Sequence, residues 1–289
     1  MLMPILFAFL IGVAVALIRR RTPSADAPAR LLAWSVGLLP AERRDWGRAM
    51  TGELDRLDGR VERWRFALGC AAAAVVMPPW GRAAAALCVL TAIAVGGAGL
   101  AVYTHVHYRL HTDGWTWVSA AVLLLVLTGY VLGGSVLLRR PGVAGPGLTG
   151  GALVAVAWLA ISGFTFHRSL TGLRGHLSLV LLAAIVVGLV GTRWGGGAAA
   201  GRRAARLAGV TAGLGVFLYG VLAVAILGAT GHDPSDGWTP AQVVDDNLGN
   251  QAVLYLIALP LVTATVGWAA AAATARVRRT PAVIPVDRD

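Results

Sequence analysis

Residues 115–138 read WTWVSAAVLLLVLTGYVLGGSVLL and run directly into Arg139-Arg140. The stretch holds no Asp, Glu, Lys, Arg or His. An α-helix rises 1.5 Å per residue, so about 20 apolar residues cross the roughly 30 Å of hydrocarbon in a bilayer. Backbone amides in lipid have no water to pair with, and a helix satisfies them within the segment. The reading is therefore a transmembrane helix, with Trp115 and Trp117 at one headgroup boundary and the arginine pair at the other.

Six further stretches follow the same rule, near 2–18, 83–104, 148–166, 177–192, 207–229 and 251–274, each free of Asp, Glu, Lys, Arg and His. Composition agrees. The chain is 57% hydrophobic and 13% charged, with a mean hydropathy of +0.70, whereas about 25% charged residues is usual for a soluble domain. Such a chain carries more apolar surface than a soluble fold of 289 residues could bury. The sequence predicts an all-α polytopic membrane bundle of seven helices.

Orientation follows from arginine. All 25 basic residues are Arg, against 14 acidic ones. Twelve Arg fall in 19–82, two at Arg139-Arg140, four in 193–206 and four from Arg276 onward; the alternate loops hold only Arg109, Arg168 and Arg174. Positive loops stay in the cytoplasm, so the N-terminus is expected outside and the C-terminus inside. Arg19-Arg20-Arg21 follows the first apolar run instead of preceding it, which marks a retained helix and not a secretory signal. The expected layout is a first helix 1–18, a cytoplasmic amphipathic module 19–82, three membrane hairpins over 83–275 and a cytoplasmic tail 276–289. The location implied is a plasma membrane, with lipid and not nucleic acid as the basic chain's counterpart. Phe66–Met77 is too short to span and stops at Pro78-Pro79, so it reads as a helix in or against the membrane surface. Trp80, Trp194 and Trp238 sit at segment ends, as an interfacial belt places them. Cys70 and Cys88 lie in apolar stretches without metal or redox spacing and read as free thiols.

The stretch 26–65 carries the clearest functional pattern. Pro40 is suited to opening a helix, after which Trp46, Met50, Leu54 and Leu57 recur at helical spacing. The opposite face holds Glu42, Arg44, Asp45, Arg48, Glu53, Asp55 and Arg56, with Asp45/Arg48 and Glu53/Arg56 spaced to pair. Leu31, Trp34 and Leu38 offer a second apolar face. The apolar stripe of Trp46, Met50, Leu54 and Leu57 is the candidate surface for a cytoplasmic protein partner; the plainer reading is a connector packed on the bilayer.

The run Leu39-Pro40-Ala41-Glu42-Arg43-Arg44-Asp45-Trp46-Gly47-Arg48-Ala49-Met50, then Glu53-Leu54, then Arg63-Trp64-Arg65-Phe66-Ala67-Leu68-Gly69-Cys70, resembles the N-terminal segment of uncharacterised multi-pass membrane proteins of actinobacteria. It is similar, more loosely, to the short helical prefix before the membrane helices of some bacterial permease and signalling proteins. The resemblance covers about 45 of the 289 residues and implies a bacterial plasma membrane and a regulatory role, with no activity attached to any residue.

All six histidines, His105, His107, His111, His167, His176 and His232, fall in the expected outer loops or at their borders. His105-x-His107-x-x-x-His111 with Asp113 has the donor chemistry for zinc or copper, and convergence of the hairpins would add the other three for a metal or haem. The competing reading is that histidine avoids lipid and a polar loop accepts it at little cost. Gly129-x-x-x-Gly133 and Gly209-x-x-x-Gly213 allow close helix approach. Pro260 frees the carbonyl of Leu256. Asp113-Gly114-Trp115-Thr116 recurs as Asp236-Gly237-Trp238-Thr239, which raises either a duplication or shared interfacial chemistry. No phosphate loop, HExxH, GxSxG or intramembrane carboxylate pair is present, so no enzyme is expected and no resident cofactor is assigned. Without intramembrane charge, ion-coupled transport has little to stand on. The leading expectation is a signalling or regulatory scaffold, with a permease or transport-accessory protein, and a metal- or haem-binding membrane protein, as alternatives.

Overall fold

The structure is a computed structural model that describes residues 26–37, 39, 43–76, 81–112, 114–140, 142–165, 171–228, 230, 235 and 237–277. Every regular element among them is a helix. The expected helix 2–18, Arg19-Arg20-Arg21, Pro40, Pro78-Pro79, Trp80, Asp113, Asp236 and the tail beyond 277 lie outside the described residues. The chain divides into two compact units, residues 1–89 and 90–289.

The first unit contains α1 (Ala27–Val36), α2 (Arg44–Asp55) and α3 (Arg60–Val76). Asp26 caps α1, its carboxylate accepting the Ala29 amide at 3.0 Å, and Pro28 in the first turn sets a helical φ where an amide is dispensable. Leu32 of α1, Met50 and Leu54 of α2 and Ala67 of α3 close one small core. Phe66–Met77 therefore does not begin a separate surface helix. Up to Val76 it is the second half of α3, docked on the module through Ala67.

The second unit comprises most of α4 (Arg82–His107), then α5 (Gly114–Leu138), α6 (Ala144–Thr165), α7 (Thr171–Trp194), α8 (Ala198–Leu227), α9 (Pro240–Val253), a π-helical segment (Leu254–Ala258) and α10 (Leu259–Val277). Among the described residues, four helices are long and apolar enough to cross a membrane: Ala83–His107, Gly114–Leu138, Ala198–Leu227 and the continuous Pro240–Thr274. Ala144–Ala160 and Ser178–Trp194 are shorter apolar helices. Val95, Val102, Leu153 and Ile226 are all more than 60% exposed, a surface that water penalises and lipid does not.

α8 is the centre of this unit. It touches α5, α6, α7, α9, the π segment and α10, and fifteen of its thirty residues are buried. Small residues make this possible, since Ala and Gly let backbones approach to a distance that larger side chains forbid. A Cβ at Gly188 of α7 would lie 2.2 Å from the Gly267 carbonyl of α10, and one at Gly201 of α8 2.6 Å from the Gly188 carbonyl. Of the two glycine pairs noted in the sequence, Gly209 and Gly213 pack on α10 and the π segment, whereas Gly129 and Gly133 face open space.

Helix ends differ from the sequence expectation where polar residues continue a helix beyond the hydrocarbon. α8 starts at Ala198 and takes in Arg202, Arg203 and Arg206. α9 starts at Pro240, with Thr239 and Gln242 forming a reciprocal capping box. The repeated tetrapeptide takes two registers: α5 begins on its glycine, Gly114, while α9 begins only after its threonine, Thr239.

Candidate functional site

The four residues of the α2 stripe do not form one surface. Met50 is 7% exposed and Leu54 fully buried, both inside the module's own core, with Leu57 packed at its edge. The apolar face expected to meet a partner is covered in its inner part by α1 and α3, since Met50 and Leu54 close the core with Leu32 and Ala67. Trp46 alone remains open, 38% exposed, with the Arg43 guanidinium 5.9 Å from its ring centroid. Beside it run the Arg48–Asp45 pair and the Arg56–Glu53 pair at 3.0 Å.

Arg63, to which the sequence attached no role, ties this unit together. Its Nε donates to Asp26 Oδ2 at 2.7 Å, and its Nη1 donates to the carbonyls of Leu54 at 2.7 Å and Leu57 at 2.8 Å. The Leu54 carbonyl lies in the last turn of α2, where it also accepts the Leu57 amide at 3.2 Å, and Leu57 follows just past the end of that helix. One planar fork thus joins the start of α1 to the end of α2 from its place on α3. Arg63 and the Ala29 amide together hold the Asp26 carboxyl below its ordinary value. The clasp forms one wall of an open cleft of about 550 Å³ that Asp55, Asp58, Arg60 and Trp64 also line.

Among the described histidines, His105, His107 and His111 point apart. α4 continues through His107, so His105 and His107 stand two residues apart on a helix and point roughly 200° from one another. His105 Nε2 is 3.0 Å from Thr112 Oγ1. His107 stacks on Tyr103 at 5.3 Å and meets Tyr108 edge-on at 5.0 Å. His111 follows the turn, its carbonyl accepting the Thr116 hydroxyl at 3.2 Å. His176 falls within α7, and His167 and His232 lie outside the described residues. Among the described residues no three His, Cys, Asp or Glu side chains group as metal ligands.

A second polar locus lies within the last long helix. The Leu259 amide reaches back to the Leu254 carbonyl, a π-type bond, and Pro260 offers no amide to Leu256. The Tyr130 hydroxyl of α5 donates to that Leu256 carbonyl instead. Trp158 of α6 meets Tyr255 edge-on at 5.6 Å. The Gln251 side-chain oxygen is buried without a hydrogen-bond partner, set where a Cβ on Gly220 of α8 would lie 2.1 Å from it. π segments are frequent at functional sites, and a buried unpaired amide oxygen costs about 1–3 kcal/mol. The proline was legible in the sequence; the π segment has no residue signature, and Gln251 read only as the polar start of a span.

No family model matches the chain, and neither the curated proteins nor the solved structures contain a significant match.

Proposed function

We propose that the chain is a seven-crossing plasma-membrane protein, N-terminus outside and C-terminus inside, that acts without catalysis as a regulatory scaffold, its three-helix module presenting the outer surface of α2 to a cytoplasmic protein. One observation carries this reading: the module closes its own core yet leaves Trp46 exposed beside Arg43, among paired charges. A solvated connector has no use for an open tryptophan, whereas tryptophan and arginine are the residues that dominate protein interfaces. α6 and α7, at 22 and 24 residues, are about 33 and 36 Å long, which supports counting each as a crossing. Crosslinking and recovery of partners from native membranes tests the proposal. Trp46→Ala is expected to lose a partner that the wild type retains, and an unchanged set with a folded module overturns it.

The second reading, a permease or transport-accessory protein, is favoured by the π segment with its buried Gln251 oxygen, since interrupted helices serve transporters as binding elements. Uptake of candidate solutes into proteoliposomes separates it from the first.

A further inference from the structure

The charge of the second unit is distributed unlike that of the first. In the module, Arg48, Arg56 and Arg63 each have a carboxylate partner. From residue 114 to residue 232 the sequence contains no Asp or Glu at all, yet Arg139, Arg140, Arg193, Arg202, Arg203 and Arg206 all gather at one end of the bundle. The fold puts them there through its turns. Gly142, at φ +70° in the α5–α6 turn, sits so close to the α7–α8 turn that a Cβ on it would lie 2.8 Å from the Gly195 Cα. Gly195 in turn abuts Ala200 in the first turn of α8, and Gly191 abuts Gly201. Two turns and the start of α8 thus meet at close quarters, which brings the segments that carry these arginines to one place.

Arg140, Arg193, Arg203 and Arg206 are exposed and Arg202 half-buried. Arg139 directs its Nε to the Ser135 carbonyl at 3.0 Å. Trp194, 71% exposed, stands next to Arg193, the kind of side chain that settles at headgroup depth. A cationic rim at the end of membrane helices, level with an interfacial tryptophan and within a stretch of sequence that supplies no carboxylate, attracts anions from its surroundings. The anion present there at high local concentration is the phosphodiester of a lipid.

We infer that this double turn is a binding site for the phosphate of anionic phospholipids, held by Arg140, Arg193 and Arg203 with Trp194 set among the headgroups. Guanidinium forks match phosphate oxygens two at a time, and each arginine near an anionic surface adds about a fivefold gain in affinity. The inference is independent of what the module binds; it requires only that this end of the bundle lie at a membrane surface.

The test uses the full chain, delipidated in detergent and titrated with phosphatidylglycerol or phosphatidylcholine, with bound lipids counted by native mass spectrometry. Phosphatidylglycerol is expected to be retained at least about fivefold better than phosphatidylcholine. The triple variant Arg140→Gln, Arg193→Gln, Arg203→Gln should lose that preference. Arg48→Gln, Arg56→Gln, Arg60→Gln, which removes equal charge from the module, should keep it. Arg140→Lys, Arg193→Lys, Arg203→Lys, which preserves the charge that sets topology, should keep most of the preference and shows whether the glutamine variant failed by misinsertion. Equal retention of both lipids, or the same loss in both glutamine triples, overturns the proposal. Displacement of phosphatidylglycerol by millimolar inorganic phosphate reassigns the site to the free ion and equally overturns the lipid reading.

Discussion

A single side chain, Arg63, decides whether three short helices act as one unit. Its partners are a carboxylate and two helix-end carbonyls, so lysine, with a point charge instead of a fork, is not an equivalent replacement. Arg63→Lys is expected to lower protection of residues 27–76 in hydrogen–deuterium exchange on the full-length protein. Leu54→Ala should do so more strongly, by about 2–5 kcal/mol of local stability, because it opens a cavity among Leu32, Met50 and Ala67. Trp46→Ala, on the surface, should stay within about 0.5 kcal/mol. The clasp also has a pH signature. The Asp26 carboxyl titrates lower folded than unfolded, so its stabilisation is complete above the unfolded value of about 3.9 and fades as pH falls through the folded one. Exchange protection of α1 should accordingly be flat in this respect from pH 5 to pH 8 and drop only in stronger acid, a drop that Asp26→Asn removes. Periodicity exposed Trp46, Met50, Leu54 and Leu57 as one stripe, but it could not reveal that α1 and α3 take up the inner part of it. The Arg63 bonds span as many as 37 residues, beyond any local spacing rule.

Among the elements, the last helix shows how far local chemistry can be read. Pro260 announces an orphaned Leu256 carbonyl, and the structure supplies the Tyr130 hydroxyl to meet it. Tyr130→Phe should destabilise the bundle in detergent by about 0.5–1.5 kcal/mol. In a Pro260→Ala background, where an amide returns to the helix, the same change should cost close to nothing; a double-mutant cycle measures the difference, and additive effects would mean that the hydroxyl and the proline are uncoupled. Gly188→Val should be far more severe, with failure to give a folded protein on size exclusion, because the opposing group is the Gly267 backbone, which has no side chain to move aside. The hydropathy runs located the four described helices that are long and apolar enough to span, but not their true ends. Hydrocarbon length bounds only the apolar part, while Arg202 to Arg206 and Gln242 to Asn250 extend α8 and α9 by propensity and capping.

At the scale of the whole molecule, composition made helices long and apolar enough to cross a membrane legible, and arginine asymmetry yields an expected map of faces that can be checked directly. Reporters fused after Arg140 and after Asp236 are expected in opposite compartments, and the same compartment for both would invalidate the seven-crossing arrangement. For His105 and His107, sequence proximity alone did not set direction, because helical phase on α4 decides which way two neighbouring imidazoles point. The contact between Gly142 and Gly195 reaches further than its size suggests. With the α5–α6 and α7–α8 hairpins joined backbone to backbone at one end, that end behaves like the spring of a clothes peg. Splaying is then resisted at the opposite jaws by side chains alone, the Tyr108 hydroxyl on the Ala225 carbonyl and Leu110 and Val224 against Val244 of α9.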